Sequence, residues 1–379
     1  MKKGIYIFIF IMASVNFYSQ NILAPVSFEQ VTLTDNFWNN RMRIQKEVLV
    51  PVAFERTEIA VEDLRRTANY LKGIEGPLPS DSRFSTSDLF KVIEGAAYLL
   101  KMERDPKLEK QIDDIADIIA QAQQPDGYLY PPHITRSYNT APLWGGAGMG
   151  DKPYSWVVHS HELYNMGHLY EAAAVYYQAT GKKNLLDIAT KSAKHINKVF
   201  FEGDSNYNGG KPVNQAPGHE EIEIALVKLY RVTGDPLYLN MAKKFIDIRG
   251  VTYVPDGKGT MSPEYAQQHA PVRKQDKAVG HAVRAVYLYS GMSDVGTLTG
   301  DTTLPPALDK IWGNIVDTRM HITGGLGAIH GIEGFGPEYE LPNKEAYNET
   351  CAAVGNVFFN HRMFLLEKDG KYMLPKYHS

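Results

Sequence analysis

The sequence predicts an all-α fold, an (α/α)6 toroid of helical hairpins that is incomplete at about ten of the twelve helices six hairpins require. Three observations carry this. The first is a repeat: HELYNMGHLYEAAAVYYQAT from His161 and GHEEIEIALVKLYRVT from Gly218 each form an apolar helix closed by Thr180-Gly181 or Thr233-Gly234. A second amphipathic helix follows each turn, with Leu186 matching Leu239 and Ala189 matching Ala242. Related copies start at Asp88, Gly280 and Glu349 and turn at Asp105-Pro106, Gly300-Asp301 and Asp369-Gly370. The second is period: Leu163, Met166, Tyr170, Ala173 and Tyr177 fall on one helical stripe, as do Ile222, Ala225, Leu226 and Leu229. The third is irregularity. The repeats differ in length and carry long loops at 126–158, 201–217 and 321–344. An open solenoid of uniform repeats needs no such loops, which favours the closed toroid.

In chain order, Lys2 and Lys3 precede an apolar run from Ile5 to Val15 and a polar stretch to Gln20. This is the pattern of a signal peptide over residues 1–20, and the run is too short for a membrane span. An exported, periplasmic or secreted domain over 21–379 is expected. Leu23 to Leu33 alternates and reads as an extended lead-in. A helix from about Trp38 to Tyr70 follows, broken at Pro51. Glycine at the ends of several first helices suits a C-cap. The net charge of −3 gives no reason to expect a nucleic-acid or anionic-membrane partner. A single cysteine, Cys351, excludes a disulfide framework.

Register locates a candidate site. Walking back from each turn to the start of its first helix reaches Asp88, His161, His219, His281 and Glu349. Parallel first helices place these residues on one rim, where neutral imidazoles can both donate to and accept from sugar hydroxyls. Aspartate is also a good helix cap, which offers Asp88 a purely structural role, whereas histidine caps poorly. His168 shares the face of His161 and reads as a satisfied core residue. Glycines are dense between Gly324 and Gly336, and Glu333, Glu338, Glu340, Glu349 and Cys351 lie in or just after that loop. Paired carboxylates suit cleavage of a glycosidic bond. Glu349 and Cys351 are two residues apart and share a metal only if the first helical turn is irregular. In QQPDGYLYPPH, Tyr128 and Tyr130 either stack on sugars or pack inward.

The strings SDLFKVIEGAAYLL, QQPDGYLY, HELYNMGHLYEAA, GHEEIEIALVKLYRVTGD, VGHAVRAVYLYSGMSDV, ITGGLGA, GFGPEYELPN and AYNETCA occur in order between about Phe28 and Tyr372. Together they resemble glycoside hydrolase family 127, whose best-known members are β-L-arabinofuranosidases. The resemblance implies an (α/α)6 toroid followed by β-sandwich regions, and retaining release of L-arabinofuranose from an oligosaccharide or glycan. It implies a zinc-bound cysteine nucleophile and a glutamate acid/base. Glu333 matches the acid/base, Glu349 and Cys351 match Zn2+ ligands, and His161, His219 and His281 match residues lining the sugar pocket.

The sequence departs from that pattern in two places. The family's nucleophile belongs to a downstream cysteine pair that this sequence lacks, and the β-sandwich region is absent. Its last residues, LPKYHS, differ from the helix expected there. A one-base shift converts codons for VAEISL into codons for LPKYHS, so a truncating frameshift is expected, and with it little hydrolase activity and an incomplete zinc site. Ala53, two residues after Pro51, stands where arabinofuranosidase-like members tend to carry glutamine. This keeps a 3,6-anhydro-galactosidase and an inactive sugar-binding fragment as alternatives. A lyase or unsaturated-uronyl hydrolase on the same toroid would favour arginine, tyrosine or aspartate over the Glu-x-Cys motif.

Overall fold

A computed structural model describes residues 23–137, 150, 152–253 and 262–373. The signal-peptide segment 1–20 and the LPKYHS tail lie outside the described residues. In chain order the helices are α1 (Asn36–Ile44), α2 (Val50–Arg56), α3 (Glu58–Leu71), α4 (Ser85–Met102), α5 (Pro106–Ala122), α6 (Pro131–Thr135), α7 (Glu162–Thr180), α8 (Asn184–Asn197), α9 (Ile222–Thr233), α10 (Pro236–Ile248), α11 (Ala282–Thr299), α12 (Pro305–Thr318) and α13 (Thr350–Glu367). No strand occurs among the described residues. If α1–α3 count as one rod and the single turn α6 is set aside, the expected ten helices are present.

The rod differs from its prediction in one detail. The helix is not broken at Pro51. Five residues, Gln45–Leu49, form a π-turn just before it, and Pro51 sits in the first turn of α2. The wider turn accommodates the missing N–H, which is how a proline enters a nearly continuous helix. The break falls instead at Thr57, between α2 and α3. The lead-in holds a short 3-10 turn at Phe28–Gln30, with the Phe28 ring 4.9 Å from Tyr98 of α4.

Helices α4, α7, α9, α11 and α13 pack side by side in that order and form the inner wall. Helices α5, α8, α10 and α12 return on the outside. The inner members α7 and α11 are buried almost all round, whereas α5, α8 and α10 bury one stripe. That contrast is the physical signature of two concentric layers. Asp105 and Asp235 cap α5 and α10 by accepting backbone N–H bonds, each followed by proline at the first helical position. Gly181, Gly234 and Gly300 close α7, α9 and α11 in the left-handed conformation, as the sequence predicts. The last inner helix keeps an exposed apolar edge at Val354, Val357 and Phe358.

Candidate active site

The N-terminal ends of the inner helices open onto one cleft of about 1310 Å³. His161, His219, His281, Glu333, Glu349 and Cys351 all line it. The register argument therefore placed five of its six rim and loop residues by helix starts alone, with Glu333 added by the glycine-rich loop. Asp88 is the exception. It lies in the first turn of α4, is not part of the cleft wall, and pairs at 3.3 Å with Lys91, which does line the cleft.

The three histidines are fixed in defined tautomers by their neighbours. His161 Nδ1 lies 2.9 Å from the His159 carbonyl and His219 Nδ1 lies 2.8 Å from the Glu220 carbonyl. A carbonyl can only accept, so both Nδ1 atoms carry the proton and both Nε2 atoms keep a lone pair. His281 is reversed. Its Nδ1 accepts the Arg284 N–H at the start of α11, so Nε2–H donates to Glu333 Oε2 at 3.1 Å. Histidine therefore does cap a helix here, while its other nitrogen serves the cleft. Burial holds all three imidazole pKa values down, well down for His161 and His219, with Arg284 adding repulsion.

Glu333 is held in a left-handed turn (φ 52°) over the start of α11, where its carbonyl accepts the Ala282 N–H. The glycine-rich loop makes this possible. A Cβ on Gly334 would collide with the Gly280 carbonyl, so only glycine lets the loop lie against the His281 turn. Sequence reasoning assigned those glycines to ligand approach, and at Gly334 the backbone they admit is instead the protein's own. Tyr347 donates to Glu333 Oε1 at 3.1 Å. The bond from His281, against partial burial, lowers the Glu333 pKa below the ordinary carboxylate value. Glu338 instead pairs with Lys277 and accepts from Asn314.

The condition for Glu349 and Cys351 to act together is met. Glu349 is the extended N-cap of α13 (φ −63°, ψ 133°) and not part of its first turn. Burial and the adjacent Glu349 carboxylate push the Cys351 thiol pKa up to about 11. Glu349 Oε2 is buried with no hydrogen-bond partner. His281, Glu333 and Glu349 bring potential ligand atoms within 4.8 Å of one another. An orphaned carboxylate oxygen beside a thiol is a donor set suited to a cation.

Several wall residues escaped the sequence reading. Phe84, Tyr164, Tyr265 and Tyr287 line the cleft, with ring centroids 4.5 Å apart for Phe84 and His161 and 4.1 Å for Tyr164 and His219. Arg284 is buried, lies 4.7 Å from the Tyr265 ring and donates to the Gly218 carbonyl. Its spacing of three from His281 was a usable signal, because i and i+3 share a helix face. Tyr128 and Tyr130 take the packing role. Tyr128 donates to buried Glu162 at 2.5 Å and Tyr130 to the Ser160 carbonyl at 2.6 Å. Glu162 also accepts from Ser160 Oγ and the Tyr154 N–H, which ties loop 126–160 to the left-handed His161 turn. Ala53 lies on α2, outside the cleft wall.

Two concentric helical layers with a carboxylate–histidine cleft at one end define a toroidal catalytic domain. A family model described as the β-L-arabinofuranosidase, GH127 catalytic domain matches residues 30–374, so the chain belongs to glycoside hydrolase family 127. A non-reducing end β-L-arabinofuranosidase from Bifidobacterium longum subsp. longum is 36% identical over 375 residues, covering 90% of this chain and 55% of its own. A solved GH127 β-arabinofuranosidase superimposes with a TM-score of 0.80 at 45% identity, covering 92% of this chain and 52% of that one. A GH127 β-L-arabinofuranosidase from Geobacillus stearothermophilus T6 gives a TM-score of 0.80 at 38% identity, covering 90% and 54%. The chain spans about half the length of the relatives it matches.

Proposed function

We propose that this domain binds the non-reducing terminal L-arabinofuranose of an exported glycan-degrading system and handles the proton in its retaining release. The observation that carries the reading is the His281–Glu333 pair, facing the lone pairs of His161 and His219 across one cleft. The names of the relatives support the sugar. The charged start and apolar run of residues 2–15 support export.

The lone pairs on His161 and His219 accept from sugar hydroxyls, and the aromatic wall covers the ring's apolar face. Glu333 protonates the leaving oxygen and then takes the proton from water. In the structure Glu333 is set for the second task, since the His281 N–H favours its carboxylate. Sugar entry excludes water from the carboxylate and competes for that bond, and both effects raise its pKa toward the acid role. Glu349 and Cys351 would hold zinc, whose chemistry there is to keep a thiolate ligand deprotonated. The sequence's single cysteine favours a second reading, sugar binding without turnover, because the resemblance assigns Cys351 to the metal and not to attack.

Titration with an aryl β-L-arabinofuranoside, alongside release of the aryl group, tests both readings. Replacing His161 or His219 by alanine is expected to weaken binding at least about tenfold, the loss of one charge-free hydrogen bond in a dry site. Glu333→Gln is expected to keep binding and lower turnover by about 10²–10⁴-fold. Binding without aryl release by the unaltered chain selects the second reading. Unchanged turnover in Glu333→Gln removes the acid/base assignment.

A further inference from the structure

Beneath the cleft floor a second cluster of ionisable groups lies between α7 and α9. His168 and Glu171 come from α7, and Glu221 is the residue that opens α9, two positions after His219. All three are buried, and their potential ligand atoms lie within 4.8 Å of one another. His168 is 3% exposed, yet neither ring nitrogen has a hydrogen-bond partner. The expectation of a satisfied core histidine is therefore not met. Glu221 Oε1 is likewise buried and unpartnered. Such groups are costly to leave unmade.

The geometry explains why they stay unpaired. His168 Nδ1 stands 3.4 Å from Glu221 Oε1 and 3.9 Å from Glu171 Oε2. These separations exceed an ordinary N–H···O bond. They match the edges of a tetrahedron around a metal with bonds of about 2.1 Å, which place two ligands about 3.4 Å apart. The Glu171 carboxylate divides its duties: Oε1 meets Lys228 Nζ at 2.8 Å, which leaves Oε2 toward His168. Lys228 also pairs with Glu94 at 2.5 Å, so its single charge already serves two carboxylates and Glu221 is left over.

Two further features point to an occupied site. The Glu171 and Glu221 carboxyl groups are in hydrogen-bond contact, and two carboxylates meet only with a proton or a cation between them. Burial and the Glu171 charge raise the Glu221 pKa well above its ordinary value, while burial keeps the His168 imidazole neutral with a lone pair to give. Gly167 completes the cradle. A Cβ there would overlap Glu221 Cγ and Cβ, so the side chain reaches His168 only because α7 carries glycine at that point.

We propose that His168, Glu171 and Glu221 form a second, buried metal site that takes one divalent transition ion, zinc by ligand chemistry, and clamps α7 to the start of α9 behind His219. Imidazole among the ligands disfavours magnesium and calcium, and three protein ligands leave one position for water. The site is separate from the cleft group of Glu349 and Cys351 and acts as a positioning device for the His219 wall.

The test uses the full chain carrying Glu349→Gln and Cys351→Ser, which removes the cleft donors. After equilibration with zinc sulfate and extensive dialysis, elemental analysis is expected to find one zinc per chain, and the melting temperature is expected to rise with zinc. Adding His168→Gln is expected to abolish both. Should that variant fail to fold, cobalt in the parent double variant reports directly: tetrahedral visible bands without a thiolate charge-transfer band place the metal on nitrogen and oxygen. A folded double variant that retains no zinc and shows no cobalt bands overturns the proposal, and the Glu171–Glu221 contact then holds a proton.

Discussion

The cleft and the chamber beneath it are built from the same residue types, histidine and glutamate at the starts and first turns of neighbouring helices, yet they solve burial differently. In the cleft, each imidazole has a backbone group that fixes its tautomer, and Glu333 stays 40% exposed. Water can enter, and the polar atoms left open are the ones a sugar would use. In the chamber, His168 and Glu221 have neither water nor protein partners. Glu220 and Glu221 make the contrast within two residues. Glu220 points to Arg249 at 2.6 Å, and Glu221 points to His168 at 3.4 Å. One carboxylate received a guanidinium from α10's end, and its neighbour received only another acid and a neutral ring. Pairing, and not burial alone, decides whether such a group is structural or is waiting for a ligand.

The largest effect expected outside catalysis comes from breaking the satisfied member of that comparison. Arg249 is fully buried and holds Glu220, Glu223 at 3.0 Å and the Ala266 carbonyl. Arg249→Met keeps much of the volume but strands two carboxylates. Urea denaturation is expected to show a loss of about 3–5 kcal/mol. Burial already raises the Glu220 pKa to about 8, so protonation relieves part of the strain and sets the result near the lower end. A loss below 1 kcal/mol would mean that Arg249 is no more settled than the chamber.

The sequence made the hairpins legible because helix period, turn residues and capping are local, and all five turns fall where the repeats place them. It made the rim legible because parallel helix starts convert chain position into space. It could not reveal which way a side chain faces across helices. Asp88 occupies a matching register yet turns to Lys91 outside the cleft. His168 is on the expected face, but its lack of partners depends on Glu221, more than fifty residues away in the chain and brought close by Gly167. Tyr128 and Tyr130 read equally well as stacking platforms, and only the position of Glu162 sends them inward.

Acid sharpens the comparison at intermediate magnitude. His161, His219 and His281 all have folded pKa values below the ordinary imidazole value of 6.5. Below that pH the unfolded chain binds more protons than the folded one. The stability these neutral rings contribute is therefore complete above pH 6.5 and falls as pH drops toward their folded values. Each ring removes at most about 1.4 kcal/mol per pH unit in that window. Stability by urea denaturation is expected to decline from pH 6.5 to 5.5, and more gently in His161→Gln, which lacks one of the rings. A flat profile would show that the rings are not held neutral by burial.

The smallest effect is expected at Asp88, where register and geometry disagree. Its carboxylate is 59% exposed and meets Lys91 across one helical turn. Asp88→Asn removes an exposed i,i+3 pair and a favourable charge in the first turn of α4, together worth below about 1 kcal/mol. Lys91 remains anchored, since its ammonium also lies 5.0 Å from the centre of the Tyr164 ring. Affinity for an aryl arabinofuranoside is therefore expected to stay within about twofold of the parent, a change below 0.5 kcal/mol. A tenfold loss would return Asp88 to the rim that helix register assigned it. It would also mean that α4 presents its first turn to the sugar in the bound state, with the cleft reshaped on the side away from His281 and Glu333.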